Sequence, residues 1–212
     1  MVILASQSRY RKKQLRDFGI PFRAVRPSAD ETLLKRQWMA KNGIPRKPAD
    51  FIRLVQFLAM EKADSVADRF VTKGSIFSAR DIFIIGSDQM AVVDGKKLDK
   101  PGSHGKAIQQ LKSMRGKTHY LITAVAVVKI SRHTRSIHSR TVTAKIKMRN
   151  FTKAEMLATL KADKPYDCAG SYKLEKSGLQ LVEEVQVSDA SAIIGLPLIA
   201  TYDLLRKAGY RA

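Results

Sequence analysis

Short apolar runs alternate with stretches whose apolar residues recur every three to four positions, so strands and helices are expected in mixed order. Val2 to Ala5 reads as a strand, and Arg9 to Phe18 as a helix stopped by Gly19. Phe22 to Val25 reads as a second strand broken by Pro27, and Glu31 to Lys41 as a helix ending near Asn42-Gly43. Pro48 opens the longest expected helix, to about Phe70, with Phe51, Leu54, Val55 and Leu58 as its buried stripe. The run after Asp81, Ile-Phe-Ile-Ile, has the pattern of a strand covered on both faces, and it is expected to end at Gly86-Ser87-Asp88-Gln89. Val92-Val93-Asp94-Gly95-Lys96 then reads as a hairpin.

Farther on, Ser103 is the expected N-cap of a helix reaching Met114. Thr118 to Ile130 and Ile137 to Met148 form a long hairpin. Thr152 to Ala162 is a helix with Thr152 and Glu155 in capping-box register. Leu181 to Val187 is a strand, and Pro197 to Ala208 a closing helix. No internal repeat or low-complexity linker divides the chain, so one domain over residues 1–212 is expected, of mixed α/β type.

Composition narrows the class only at one point. The 44% hydrophobic and 27% charged content is that of an ordinary globular chain. No apolar run approaches the ~18 residues needed to span a bilayer, and the N-terminus lacks a secretory pattern. Cys168 is the single cysteine, which excludes an internal disulfide and a cysteine zinc cluster; a reducing, cytoplasmic protein is expected. Charge is the outlier, with 39 Lys and Arg against 19 Asp and Glu, a net +20. Such a field attracts polyanions, nucleic acid or phosphorylated small molecules alike.

Several places carry candidate chemistry. In Ser6-Gln7-Ser8-Arg9-Tyr10-Arg11 a strand gives way to hydroxyls and a helix N-terminus, the makings of an anion site or of a plain serine cap. Lys62 lies one turn beyond Leu58 and two beyond Val55, so it continues the apolar stripe; it either pairs with something buried or snorkels to solvent. Asp88, placed where a buried strand ends, is positioned to hold a metal or to activate water, or it ends a turn. Asp30-Glu31, Lys100-Pro101-Gly102 and the small-residue loop from Asp167 to Glu175 are each weak signals alone. Gly116-Lys117-Thr118 imitates the end of a phosphate-binding loop, but Leu111 stands where that motif needs glycine. His104, His119, His133 and His138 show no metal-ligand spacing and are expected at the surface.

Taken in order, Leu-Ala-Ser-x-Ser near the start, Asp30-Glu31, Glu61-Lys62-Ala63, Ile85-Gly-Ser-Asp88, Lys100-Pro101, Ala169-Gly-Ser-Tyr172 and Gly195-Leu-Pro-Leu198 resemble the Maf family of nucleotide pyrophosphatases. The resemblance runs from Leu4 to Leu205. It implies a mixed, twisted α/β sheet with flanking helices and two lobes around a nucleotide-binding cleft, often dimeric. It implies a hydrolase that cuts nucleoside triphosphates between the α and β phosphates, with a divalent cation, Mg²⁺, Mn²⁺ or Co²⁺. By the same resemblance Asp88 is the general base, Ser6, Arg11, Lys62 and Lys100 handle phosphate, and Glu31 with Asp88 holds the metal. Gln89 and the Cys168 to Glu175 loop look like the branch acting on 7-methyl-GTP, with Tyr10, Gln89 and Glu175 selecting the base. That suits a cationic base, since an aromatic face attracts it and a carboxylate accepts from the guanine edge.

Departures from the pattern are Asp99 before Lys100-Pro101, Arg9 where proline is common, Lys176-Ser177 after Glu175, and apparent insertions at 37–48 and 72–80. The competing expectations are a basic nucleic-acid-binding protein on the same scaffold and a pyrophosphatase for other nucleotides such as dTTP or UTP.

Overall fold

The computed structural model describes residues 1–212 except 73–74, 77–80, 133 and 212, and omits the side chains of 71–80. His133 and most of the expected insertion at 72–80 therefore lie outside the described residues. The strands are β1 (Val2–Ala5), β2 (Phe22–Val25), β3 (Val71–Thr72), β4 (Ser75–Ile76), β5 (Ile82–Val93), β6 (Lys96–Leu98), β7 (Thr118–Ile130), β8 (Arg135–Met148) and β9 (Val182–Gln186). The helices are α1 (Arg9–Asp17), α2 (Glu31–Asn42), α3 (Pro48–Ala67), α4 (His104–Met114), α5 (Lys153–Asp163) and α6 (Leu198–Lys207). Caps set several starts: Ser8, Ser103 and Thr152 accept backbone N–H groups of α1, α4 and α5, and Thr152 shares a capping box with Glu155. The last turn expected of the long helix is instead a 3-10 turn, Asp68–Phe70.

The main sheet has seven strands, ordered β2-β1-β5-β7-β8-β9, with β6 also on β5. β1 runs parallel to β2 and β5; the other pairings are antiparallel. α3 covers one face, packing Phe51, Leu54, Val55, Leu58 and Ala63 against Ile84 and Met90 of β5 and Ile122, Ala124, Ala126, Val128 and Ile130 of β7. The other face carries two separate clusters. One joins α1 and α6 to Phe83, Ile85, Val125 and Val127; the other joins α4 and α5 to Ala91, Val93, Leu121 and Ile146. The mixed sheet with flanking helices is as the resemblance implied.

One element differs in a way that matters. The strand does not end at Gly86; β5 continues through Asp88 to Val93. Gly86 is small for packing, not for turning: a Cβ there would meet the Ala59 carbonyl oxygen at 2.3 Å and the Ala63 nitrogen at 2.7 Å. α3 thus lies directly on the β5 backbone. On one edge β5 pairs with β7 over its whole length. On the other it pairs with β1 through Phe83–Ile85 and with β6 through Ala91–Val93. Among the described residues no strand pairs with residues 86–90 on that edge, because β1 turns away into α1. A gap opens inside the sheet where a strand end was expected, and Asp88 stands at it.

Candidate active site

A cleft of about 990 Å³ opens at this gap, and its walls include Ser6 to Arg11, Glu31, Lys62, Asp88, Gln89, Lys100, Glu175 and Gly195. All nine residues to which the resemblance gives a role, Ser6, Tyr10, Arg11, Glu31, Lys62, Asp88, Gln89, Lys100 and Glu175, line it. Lys62 is carried by the buried stripe of α3 and is only 7% exposed; Asp88 is 6% exposed. Lys62 Nζ donates to Asp88 Oδ1 at 2.6 Å and lies 2.6 Å from Glu31 Oε1. Lys62 therefore pairs rather than snorkels. Breaking such a buried pair by removing one partner typically costs about 3–5 kcal/mol, because a lone charge stays in low dielectric.

Glu31 sits one step inside the N-cap Asp30, whose carboxylate accepts the N–H groups of Thr32 and Leu33. It also meets Lys35 at 3.2 Å. Burial alone would push the Glu31 carboxyl up, but Lys62 and Lys35 together outweigh it and hold the group at about 2. Burial lowers the Arg11 guanidinium, while the charges of Asp88 and Glu31 oppose that shift. Two carboxylates and two cations thus converge in a partly dry site.

Arg11 is aimed by a strap that sequence reasoning noticed only as Gly195-Leu-Pro. The strap is a 3-10 turn, Ala190–Ile194, closed by Gly195 at φ +122°. The Gly195 carbonyl accepts Arg11 Nε at 2.7 Å and Ser87 Oγ at 2.9 Å. Gln89 Nε2 donates to Ala192 O at 2.9 Å, Ile193 O at 3.1 Å and Thr123 Oγ1 at 2.9 Å. Its amide hydrogens are committed to the strap, so its Oε1 is the atom left for a ligand. Asp189 accepts from Ser191 N at 3.1 Å and Ile199 N at 2.9 Å, tying the strap to the start of α6. Ser6 is buried and accepts Ser8 N at 3.1 Å, which folds the hydroxyl turn into the cleft floor.

A second cluster lines the same cleft on more exposed ground. Tyr10 OH donates to Asp167 Oδ2 at 3.1 Å, and Arg9 Nη2 reaches both Tyr10 OH and Asp167 Oδ2 at 2.9 Å. The Arg9 guanidinium carbon stands 4.9 Å from the Tyr10 ring centre, and Lys173 Nζ 6.0 Å. Burial pushes the Tyr10 phenol up to about 12 and the Cys168 thiol to about 11, so the one cysteine is no nucleophile near neutral pH. Glu175 is exposed on the loop that follows. Behind that loop His119, expected at the surface, is fully buried, with Nε2 2.7 Å from Tyr172 OH. Its place on β7 opposite Val93 explains the burial, which lowers it to about 4. Sequence alone marks Arg9 as a departure, Asp167, Tyr172 and Lys173 as parts of a loop and His119 as a surface residue; the Arg9–Asp167 and His119–Tyr172 contacts emerge only when the chain is folded.

Lys100 is exposed on the loop after β6. The suspect Asp99 is paired with Lys97, so its added charge is matched nearby. The expected insertion at 37–48 contributes Trp38 to the core under α3. Among the described residues no three His, Cys, Asp or Glu side chains group as a metal cage. The donor set fits a hard divalent cation in another way: Asp88 and Glu31 converge on one ammonium, and such ions are commonly held by one or two carboxylates, with waters and phosphate oxygens completing the shell. No helix of the described residues is long and apolar enough to cross a membrane.

Comparison with known proteins agrees across nearly the whole length. The family profile described as "Maf-like protein" matches residues 1–208. A 7-methyl-GTP pyrophosphatase of Aromatoleum aromaticum is 38% identical over 208 residues, 98% of this chain and 95% of that one. Proteins of the same name from Albidiferax ferrireducens and Thiobacillus denitrificans are 37% and 35% identical, covering 99% and 98% of this chain and 94% and 92% of theirs.

Proposed function

The chain belongs to the Maf family, and from that premise we propose that its cleft hydrolyses the α–β phosphoanhydride of a nucleoside triphosphate, 7-methyl-GTP by preference, to the monophosphate and pyrophosphate. The observation that carries this reading is the convergence of Lys62, Asp88, Glu31 and Arg11 in one partly buried site. Asp88 accepts a proton from the water that attacks the α-phosphorus; the bond to the bridging oxygen breaks and pyrophosphate leaves. Arg11, Lys62 and Lys100 balance the charge that gathers on the phosphate oxygens, with Ser6 donating from the floor. Asp88 and Glu31 would hold the divalent cation, which would supply further charge neutralisation.

Selection of the base falls to the exposed cluster. Tyr10 offers an aromatic face to the cationic 7-methylguanine, and Glu175 accepts from its N1–H and N2–H₂ edge. Gln89 acts chiefly by fixing the strap that walls the pocket, since its amide hydrogens are already used.

A screen of canonical and modified nucleoside triphosphates with Mg²⁺, Mn²⁺ and Co²⁺ tests the proposal by the pyrophosphate released. Pyrophosphate in equal amount with monophosphate, fastest from 7-methyl-GTP, is expected. Preference for dTTP or UTP would reassign the base. Orthophosphate as the product would overturn the α–β cleavage, and no turnover beside tight RNA binding would overturn the enzyme reading.

A further inference from the structure

The ring of Tyr10, proposed to receive a cationic base, already has cations against it: Arg9, and Lys173 with its Nζ 6.0 Å from the ring centre. Arg9 is the neighbour of Tyr10 in the first turn of α1, and the guanidinium carbon lies 4.9 Å from the ring centre. The guanidinium is steered there by two hydrogen bonds at 2.9 Å from one nitrogen, to Tyr10 OH and to Asp167 Oδ2. Asp167 belongs to the loop after α5, so the contact also ties the start of α1 to that loop within the lining of the cleft. All three residues line that cleft.

We propose that Arg9 is a specificity-determining residue: its guanidinium is an internal stand-in for a cationic base against the ring of Tyr10, and a base that stacks on that ring must displace it. The inference rests on the proposed 7-methyl-GTP reading of the same cleft. Guanidinium and methylated purine are both flat cations, and both gain from the same ring quadrupole. The Arg9 side chain is 71% exposed and its ion pair with Asp167 lies on the surface, so the stand-in is held loosely and leaves readily. A neutral guanine gains little from the ring's negative face and is a poor competitor for it. A cationic base that takes the ring must displace Arg9, whereas a neutral guanine that does not stack there leaves it in place, so Arg9 lowers the affinity for the methylated base more than for guanine and narrows the preference between them.

The test is equilibrium titration of wild type, Arg9→Ala and Arg9→Gln with 7-methyl-GMP and GMP, which share a phosphate and differ in base charge. Circular dichroism checks that the variants fold. Both variants should bind 7-methyl-GMP roughly two- to fivefold tighter than wild type, with the change for GMP smaller. Asp167→Asn, which releases the guanidinium from its anchor, should move 7-methyl-GMP binding the same way by less. Weaker 7-methyl-GMP binding in the Arg9 variants would mean that Arg9 touches the ligand, and an unchanged ratio between the two nucleotides would mean that it has no part in selection; either overturns the inference alone. Failure of wild type and variants alike to bind either nucleotide would bring down the reading of the cleft itself.

Discussion

The inner and outer parts of the cleft are built by opposite means. Inside, Lys62 and Asp88 sit on α3 and β5, each less than a tenth exposed and fixed by the apolar packing around them. Outside, Arg9, Tyr10 and Asp167 sit on a first helical turn and a loop and are joined by solvent-facing bonds, and Glu175 lies exposed farther along that loop. Chemistry common to all triphosphates asks for fixed charges in a dry place, where each interaction is strong. Choice among bases asks for surfaces that vary without disturbing the core, and loops supply them. On the proposed roles, turnover falls to the inner part and selection mainly to the outer, so variants should sort between them.

The largest break of that separation is expected at Asp88. Asp88→Asn keeps the shape and removes the proton acceptor, and kcat should drop by about 10²–10⁴ for every nucleotide, with base preference kept. Near-normal turnover by the folded variant would sink the assignment. Lys62→Met attacks the same region through stability. It leaves Asp88 buried without its ammonium, and denaturant unfolding should show a loss of about 3 kcal/mol, with activity lost as well. A fully stable Lys62→Met would mean that the pair is not the keystone of the inner site.

A pH series separates the two parts further. His119 falls from its ordinary value near 6.5 to about 4 because it is buried, so the unfolded chain binds more protons between those values. The stability it provides is complete above about pH 6.5 and is lost as pH falls toward 4, by roughly 2–3 kcal/mol. His119→Phe should be less stable at neutral pH, because Tyr172 loses its partner, yet should show a shallower decline over that window. Glu31, held at about 2 by Lys62 and Lys35, adds a second loss that begins as pH falls below 4.5. Equal slopes for wild type and His119→Phe would show that His119 is already charged when folded.

Smaller effects belong to the outer cluster. Glu175→Gln exchanges an acceptor for a donor against the guanine edge, a mismatch of ~1–3 kcal/mol, so the ratio of kcat/KM for 7-methyl-GTP over GTP should move roughly tenfold. An unchanged ratio would detach Glu175 from selection. Smallest is the salt effect: the +20 surface speeds encounter with a triphosphate, so kcat/KM should fall with ionic strength by a few-fold while kcat changes less.

What could be read in the chain follows the same division. Lys62 was legible because a lysine in an apolar stripe violates a packing rule, and the structure resolves the violation with two carboxylates. Helix starts at Ser8, Ser103 and Thr152 were legible because capping is local. The course of β5 was not, since Gly86-Ser87-Asp88 looks like a turn until α3 is seen resting on Gly86. His119 carries no local mark of burial, which comes from the sheet pairing around it. The Arg9–Tyr10–Asp167 contact joins residues 157 or more positions apart, and nothing local announces it.

The central claim is that the inner site directs water to the α-phosphorus, and heavy-oxygen water tests it directly. Hydrolysis of 7-methyl-GTP by the wild-type protein in that solvent, with products weighed by mass spectrometry, should place one heavy oxygen in the 7-methyl-GMP and none in the pyrophosphate. Heavy oxygen in pyrophosphate or orthophosphate, with the monophosphate unlabelled, would contradict it.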